Sequence, residues 1–169
     1  SIFNNDIDDE GVDALVGAFT NSRLRILNLS VNRGITVRGC RRLAVLLENP
    51  NSDLEKLFFH SNNIGDEGAL IFANALVSNR KLKTLSLYSN GITAEGWPGF
   101  SKVLCDTSSI NKTFLSNHTL ESLGGAPGIA HDVQSLLALN RSSEDKRQVA
   151  IKKILKYQHH FDMQPFFEW

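Results

Sequence analysis

The stretch Leu82-Lys-Thr-Leu85-Ser-Leu87-Tyr-Ser-Asn90 decides the fold, because its order of three leucines and one asparagine recurs along the chain. The equivalent stretches are Leu24-Arg-Ile-Leu27-Asn-Leu29-Ser-Val-Asn32 and Leu54-Glu-Lys-Leu57-Phe-Phe59-His-Ser-Asn62. The three copies begin at Leu24, Leu54 and Leu82, so their spacing is nearly constant. A steady period of this length predicts a stack of similar strand-containing units.

Imperfect copies flank these three. A degenerate fourth copy is predicted over 110–120, with Thr113 and His118 at two of its key positions. At the other end, residues 2–7 match the second half of a repeat. We therefore predict a partial first repeat, three full repeats and a degenerate last repeat over 1–123.

Each unit also contains a second pattern, in which a glycine is followed by apolar residues at helical spacing. These glycines are Gly11, Gly39, Gly68 and Gly96. The two patterns together predict an α/β solenoid in which a short strand alternates with an amphipathic helix. Residues four and six of the strand motif point into the core, because side chains alternate along a strand.

The repeat pattern ends after residue 123. The breaker residues of Gly124-Gly125-Ala-Pro127-Gly128 predict a linker over 124–130. Two amphipathic patterns follow over 131–169. Because the last unit of a solenoid exposes its core, we predict that this segment is a helical C-terminal cap.

The motif asparagines are expected to be structural. They are Asn5, Asn32, Asn62 and Asn90. Each lies where the chain leaves a strand, and a turn at that place leaves backbone groups that need partners. A carboxamide both donates and accepts hydrogen bonds, so the four are predicted to form an asparagine ladder from repeat to repeat.

Repeats of this length with this motif, an isoleucine after the asparagine and a glycine further on resemble the ribonuclease-inhibitor subclass of leucine-rich repeats. The resemblance covers residues 1 to about 120. It implies a horseshoe-shaped solenoid, with a parallel β-sheet on the concave face, α-helices on the convex face and a partner on the concave side. The tail from Ala150 to Trp169 resembles the C-terminal region of large algal leucine-rich-repeat families without an assigned function.

Positions five and seven of the strand motif project most directly from the concave sheet, and aromatic side chains occupy several of them. The predicted partner-binding residues are Phe3, Asn28, Ser30, Phe58, His60, Ser86, Tyr88 and Phe114. Neighbouring parallel strands lie about 4.8 Å apart, so these residues would form one concave strip. Contiguous exposed apolar surface usually marks an interaction site. We therefore predict a scaffold that binds another protein.

The sequence contains no G-x-x-x-x-G-K-[ST], H-E-x-x-H, C-x-x-C or G-x-S-x-G motif. His159-His160 is the one paired histidine, and adjacent residues of a helix point in different directions, so no metal site is predicted. Cys40 and Cys105 are expected to be buried as small hydrophobes. We expect a protein that is not an enzyme and holds no cofactor.

Stimulation of a GTPase is an alternative from another class, since the Ran GTPase-activating proteins resemble this repeat type. Such a function can need an arginine on a strand-to-helix loop, and Arg33 and Arg38 lie at the one such loop that carries an insertion. Two solvated arginines are the simpler interpretation, because charged loop residues are ordinarily exposed. A role as the sensor part of a larger receptor is the other alternative.

The 18 basic and 18 acidic residues balance, so the total charge does not favour nucleic acid or an anionic membrane as a partner. No apolar run approaches the roughly 20 residues that span a bilayer. Two cysteines are too few for a disulfide framework, which favours an intracellular, cytoplasmic location. We expect a monomer whose partner is another protein.

Overall fold

The computed structural model describes residues 2–19, 22–125, 128–143 and 145–158. The strands are β1 (Ile26–Asn28), β2 (Lys56–Phe58) and β3 (Thr84–Ser86). The helices are α1 (Asp9–Phe19), α2 (Val37–Glu48), α3 (Gly65–Ala75), α4 (Pro98–Leu104), α5 (Ile110–Leu115), α6 (His131–Arg141) and α7 (Lys146–Tyr157). Each strand is followed by a helix, so the predicted α/β repeat is confirmed.

The strands form one parallel sheet in the order β1-β2-β3. Residues at equal motif positions lie side by side, as Leu27, Leu57 and Leu85 do. Backbone hydrogen bonds add segment 2–4 beside β1 and segment 120–123 beside β3. The sheet therefore continues through five successive turns of the solenoid.

The core lies between the sheet and the row of helices. Strand positions four and six are buried, as the pleat of a strand requires. Those side chains are Leu27, Leu29, Leu57, Phe59, Leu85 and Leu87. Helix α2 packs on α1, α3 on α2 and α4 on α3, which closes the core from the convex side. Full burial of one such leucine stabilises the fold by about 2 kcal/mol relative to exposure.

The fourth strand predicted near residue 110 is wrong, because Ile110–Leu115 form helix α5. The side chain of Ser109 caps this helix by accepting a hydrogen bond from the Lys112 N–H. The strand-like segment begins instead at Leu120, well beyond the position that the regular spacing from Leu82 would give it. Helix α5 is thus an insertion between a convex helix and the strand-like segment that follows.

The last two helices differ in their placement. Helix α6 packs beside α4 and so continues the convex row, whereas α7 packs against α5 and α6. Helix α7 buries Val149, Ala150 and Lys153 against them. Residues 159–169 of the predicted cap, with His159 and His160, lie outside the described residues.

The lysine side chain of Lys153, on the buried side of α7, is fully buried. Its Nζ donates hydrogen bonds to the carbonyl oxygens of Leu104 at 2.6 Å and Asn117 at 3.3 Å. Burial lowers the pKa of Lys153 to about 7; the Cys105 thiol raises it and Lys146 lowers it further. The amine therefore loses its proton far more easily in the fold than in water.

The repeated glycines lie in the first turn of a helix, where the backbone packs closely against the preceding loop and the neighbouring repeat. A Cβ on Gly68 would lie 2.5 Å from the Cβ of Ile64 and 3.2 Å from the Sγ of Cys40. By contrast, a Cβ on Gly17 in α1 would have no heavy atom within 4 Å beyond its chain neighbours and the backbone of its own helix. The first glycine is required by close packing, and the second is not.

We expect Gly68→Ala to lower the free energy of unfolding by about 2 kcal/mol, because the added methyl overpacks a rigid contact. Gly17→Ala is the matched control and should raise it by about 0.5 kcal/mol, because alanine loses less backbone entropy in a helix. Urea unfolding followed by circular dichroism measures both. Equal effects of the two substitutions would show that the helix start is loosely packed.

Candidate binding surface on the concave face

A row of side chains at motif position seven crosses the concave sheet in the order Phe3, Ser30, His60 and Tyr88. The His60 and Tyr88 rings stack, with centroids 4.3 Å apart and planes 10° from parallel. The Phe3 and His60 centroids are 6.2 Å apart, although β1 runs between their backbones. Because next-nearest strands are about 9.6 Å apart, these two rings lean towards each other above Ser30. Ser30 is consequently buried.

A second row at position five runs parallel to it. The Oδ1 of Asn28 accepts a hydrogen bond from the Ser30 N–H at 3.0 Å, which fixes the end of β1. Phe58 is partly exposed in the middle of the row. Ser86 is buried because Gly124 lies against it, and a Cβ on Gly124 would be 2.5 Å from the Ser86 Oγ. Glycine is needed there for this close approach and for its φ of +80°.

Phe114 is a correction to the predicted concave strip. It lies on α5 and is 43% exposed there, away from the sheet. The other seven predicted residues share the concave face, but Ser30 and Ser86 are buried within it. The accessible part of the concave strip therefore consists of Phe3, Asn28, Phe58, His60 and Tyr88.

Ile26 and Lys56 extend this surface and were not among the predicted binding residues. They pair in register on β1 and β2 at motif position three, and Ile26 is 54% exposed. Positions three, five and seven project on the same side of a strand, since side chains alternate with a period of two. The motif itself indicates that position three faces the concave side. Ile26 and Lys56 were missed because the predicted binding residues came from positions five and seven alone.

The centre of the concave strip is uncharged. Burial lowers the pKa of His60 and so favours its neutral ring. Charge lies beside the rings, where Arg25 forms an ion pair with Glu55 at 2.6 Å and the Lys56 side chain is exposed. An apolar centre with a polar rim is the usual composition of a protein–protein interface.

Side-chain hydrogen bonds of the motif asparagines connect the repeats behind the strip. The Oδ1 of Asn62 accepts from the Asn32 N–H at 2.7 Å, and the Oδ1 of Asn90 accepts from the Asn62 N–H at 3.1 Å. The Nδ2 of Asn62 donates to the carbonyls of Leu29 and Phe59, one in each of two repeats. Asn5, at the first turn, is exposed. Each buried asparagine of the ladder thus joins successive turns in two ways, because its side-chain oxygen accepts from one backbone N–H and its side-chain nitrogen donates to backbone carbonyls.

Hydrogen bonds between an aspartate and a threonine form a second polar link, which connects each of two pairs of neighbouring turns. Asp9 accepts hydrogen bonds from the backbone N–H and the hydroxyl of Thr36, at 2.9 and 2.7 Å. Asp66 accepts the same two bonds from Thr93, at 2.7 and 2.8 Å. Burial raises the pKa of the Asp9 carboxyl, but the bonds from Thr36 and Gly39 and the nearby Arg38 outweigh it and leave the pKa lowered.

The two arginines of the GTPase alternative are exposed beside this link. Arg33 lies in the turn after Asn32, and Arg38 lies in the first turn of α2. Within the ranges that the structure describes, no group of three or more histidine, cysteine, aspartate or glutamate side chains is arranged to hold a metal ion. Among those same residues, no helix combines the length and apolar character needed to cross a membrane.

Comparison with known proteins agrees with this geometry. The model of a family described as Leucine Rich repeat matches residues 1–16, 51–73 and 78–96. The chain is therefore a leucine-rich-repeat protein. Its repeats are of the type found in ribonuclease inhibitor and in the NACHT, LRR and PYD domains-containing proteins, to which it is homologous.

Two mouse relatives show the extent of this likeness. Ribonuclease inhibitor is 32% identical over 123 residues, which are 72% of this chain and 27% of that protein. NACHT, LRR and PYD domains-containing protein 14 is 32% identical over 123 residues, which are 73% of this chain and 12% of that protein. The chain thus spans about a quarter of the first relative and about an eighth of the second.

Solved structures share the fold at low sequence identity. The actin-binding site 2 of leiomodin-1 superposes with a TM-score of 0.70 at 23% identity, covering 94% of this chain and 86% of that one. The tropomodulin C-terminal domain of Caenorhabditis elegans gives a TM-score of 0.63 at 14% identity, with the same coverage. These likenesses confirm the solenoid architecture.

Proposed function

We propose that this chain binds another protein through the concave strip, with Phe3, His60 and Tyr88 as its centre. The observation that carries the proposal is the row of rings at position seven, in which His60 stacks on Tyr88 and meets Phe3. Stacked rings hold their positions before a partner arrives, so less side-chain entropy is lost on binding.

The chemistry of the strip favours a protein partner. Tyrosine and other aromatic side chains are enriched among the few interface residues that carry most of the binding energy. Burial favours the uncharged His60 ring at the centre, and the Arg25–Glu55 ion pair beside the rings has no net charge. Association should therefore depend mainly on apolar contact and respond weakly to salt.

The relatives support the same class of function. One is a ribonuclease inhibitor, and one solved structure of this shape is an actin-binding site of leiomodin-1. Both names describe proteins that bind other proteins. For this chain they support protein binding in general and do not specify the partner.

We expect Tyr88→Ala to weaken binding of the partner by about 30-fold, or about 2 kcal/mol, because it removes half of the stacked pair at the centre. The partner would be identified by crosslinking from Phe58 replaced with a photoreactive residue, then purified. Isothermal titration of the purified pair would measure the dissociation constants of the wild type and the variant.

Phe114→Ala is the control, since it removes an aromatic ring that is 43% exposed on α5 rather than one in the strip. It should leave the dissociation constant unchanged. A partner that binds the Tyr88→Ala chain as tightly as the wild type, with both variants folded by circular dichroism, would contradict the proposal.

A further inference from the structure

A groove on the convex side of the solenoid lies apart from the concave strip. It has a volume of about 860 Å³ and runs between α3, α4 and α5. We call it the convex groove and define it by the lining residues Leu70, Val77, Arg80, Lys102, Lys112 and Leu115. The inserted helix α5 forms one wall, so the groove results from the irregular turn of the solenoid.

Aliphatic side chains in the convex groove are open to solvent. Leu70 lies on α3, Val77 follows the end of that helix, and Leu115 ends α5. These residues are 49%, 54% and 56% exposed. Exposed aliphatic side chains gathered in one groove indicate a binding surface more strongly than the same residues scattered. The convex groove therefore suits an occupant with an apolar face.

The guanidinium of Arg80 is held in place between the end of α3 and the end of α5. Its Nη1 donates hydrogen bonds to the carbonyl oxygens of Val77 and Asn79 at 2.8 and 3.0 Å. Its Nη2 donates to the carbonyl oxygen of Leu115 at 2.8 Å. These acceptors are uncharged, so they orient the guanidinium without neutralising it. A guanidinium has five N–H donors, which leaves donors for a ligand.

Two lysines add positive charge from the other walls, Lys102 on α4 and Lys112 on α5. The lining contributes one acid, Asp106, whose Oδ1 already accepts a hydrogen bond from the Ser108 N–H at 3.0 Å. Hydrogen bonds from Ser108 lower the pKa of Asp106, and both lysines lower it further. None of the ion pairs between described residues includes Arg80 or either lysine. The convex groove therefore has an excess of positive charge that an occupant with carboxylates would neutralise.

The walls of the convex groove favour a helical occupant over an extended one. All three walls are helices, and a helix pairs most of its backbone groups internally. An extended peptide would find few free backbone partners there, whereas a helix satisfies its own backbone. Amphipathic helices bind such grooves through apolar residues at positions i, i+3, i+4 and i+7.

We infer that the convex groove binds an acidic amphipathic helix of another protein. The apolar face of that helix covers the three aliphatic side chains of the groove. Carboxylates beside that face pair with Arg80, Lys102 and Lys112. The convex groove thus differs from the concave strip in the charge that it selects, and the chain holds two proteins at once, one on each face.

Selection from a phage-displayed library of random peptides against the full chain tests this inference. Peptides of about 16 residues suffice, since they form about four helical turns. Those that bind the Tyr88→Ala chain as tightly as the wild type are kept, because they bind away from the concave strip. We expect the kept peptides to have apolar residues at i, i+3, i+4 and i+7 and more acidic than basic residues. Fluorescence anisotropy of labelled synthetic copies measures their dissociation constants.

Two double variants then test whether these peptides bind in the convex groove. Leu70→Ser, Leu115→Ser removes apolar contacts, and Lys102→Glu, Lys112→Glu turns attraction of carboxylates into repulsion. Each should weaken binding by about tenfold or more. All four side chains are exposed, so the fold should persist, which circular dichroism checks.

Leu155→Ser and Lys152→Glu are the controls, since they make the same changes at exposed positions of α7. They should leave the dissociation constants unchanged. Three results would overturn the inference. They are a library that yields no such acidic peptide, undiminished binding to either double variant, and dimerisation of the chain that the leucine double variant abolishes. The last result, seen by sedimentation, would assign the convex groove to a second copy of the chain.

Discussion

Asn62→Ala should lower the free energy of unfolding by about 3 kcal/mol, since it leaves the buried N–H of Asn32 without an acceptor. The substitution also removes one of the two asparagine donors to each of the Leu29 and Phe59 carbonyls, in two neighbouring turns. The loss falls in the middle of the asparagine ladder, so neither turn can recover the bonds from water. Urea unfolding monitored by circular dichroism gives the value.

Asn5→Ala provides the comparison within the same ladder. Asn5 is exposed, and its Nδ2 donates only to the Phe3 carbonyl, so its removal should cost less than about 1 kcal/mol. Asn62→Asp separates the two roles of the amide, because a carboxylate can accept from Asn32 but cannot donate. If the aspartate variant were as stable as the wild type, the donor half of the ladder would be unnecessary.

The second large expected effect is a dependence of folding stability on pH, caused by Lys153. The folded chain holds the pKa of Lys153 at about 7, whereas an unfolded lysine has a pKa of about 10.4. A lowered lysine pKa means that the unfolded chain binds more protons between these values. Stability therefore rises with pH in that window, by about 1.5 kcal/mol between pH 7 and pH 8.5. Chemical unfolding at a series of pH values should show this rise.

Lys153→Met should abolish the rise, because methionine does not titrate. Lys152→Met, on the exposed side of the same helix, should preserve it. The window ends near pH 8.5, since burial raises the pKa of Cys40 to about 12 and also that of Cys105. Above that pH the unfolded thiols ionise first, which lowers stability. A wild type that is flat from pH 7 to 8.5 would mean that Lys153 keeps an ordinary pKa.

His118 gives a separate change in stability at acidic pH. Burial and the charge of Lys153 lower the pKa of His118 to about 4, below its usual value near 6.5. Its share of the stability is therefore lost as the pH falls from 6.5 towards 4. Because this window lies below pH 7, it does not overlap the one that tests Lys153.

Periodicity was sufficient to predict the regular part of the fold. Three intact motifs specify which strand residues face the core, and Leu27, Leu57 and Leu85 lie in register as that pattern requires. The glycines and asparagines are repeated for the same reason, since each repeat needs the same close approach and the same turn. Where a contact recurs in every turn, the sequence contains several copies of its signal.

The irregular turn could not be predicted in this way. Residues near 110 resemble the strand motif and were therefore predicted to form a strand. The Ser109 cap and local helical hydrogen bonds stabilise helix α5 there instead. Phe114 was assigned to the wrong face as a result. The burial of Ser86 depends on Gly124, whose approach follows from the position of the last turn rather than from the motif. Contacts that occur once have no repeat to reveal them.

The aspartate–threonine links define how such a chain could be lengthened. Asp9 and Asp66 lie two repeats apart, and the same separation divides Thr36 from Thr93. Inserting a block of two repeats would therefore give each new acid its threonine. Inserting a single repeat would leave either an aspartate or a threonine without its counterpart. The solenoid thus has a natural unit of growth and of recombination that is twice the leucine motif.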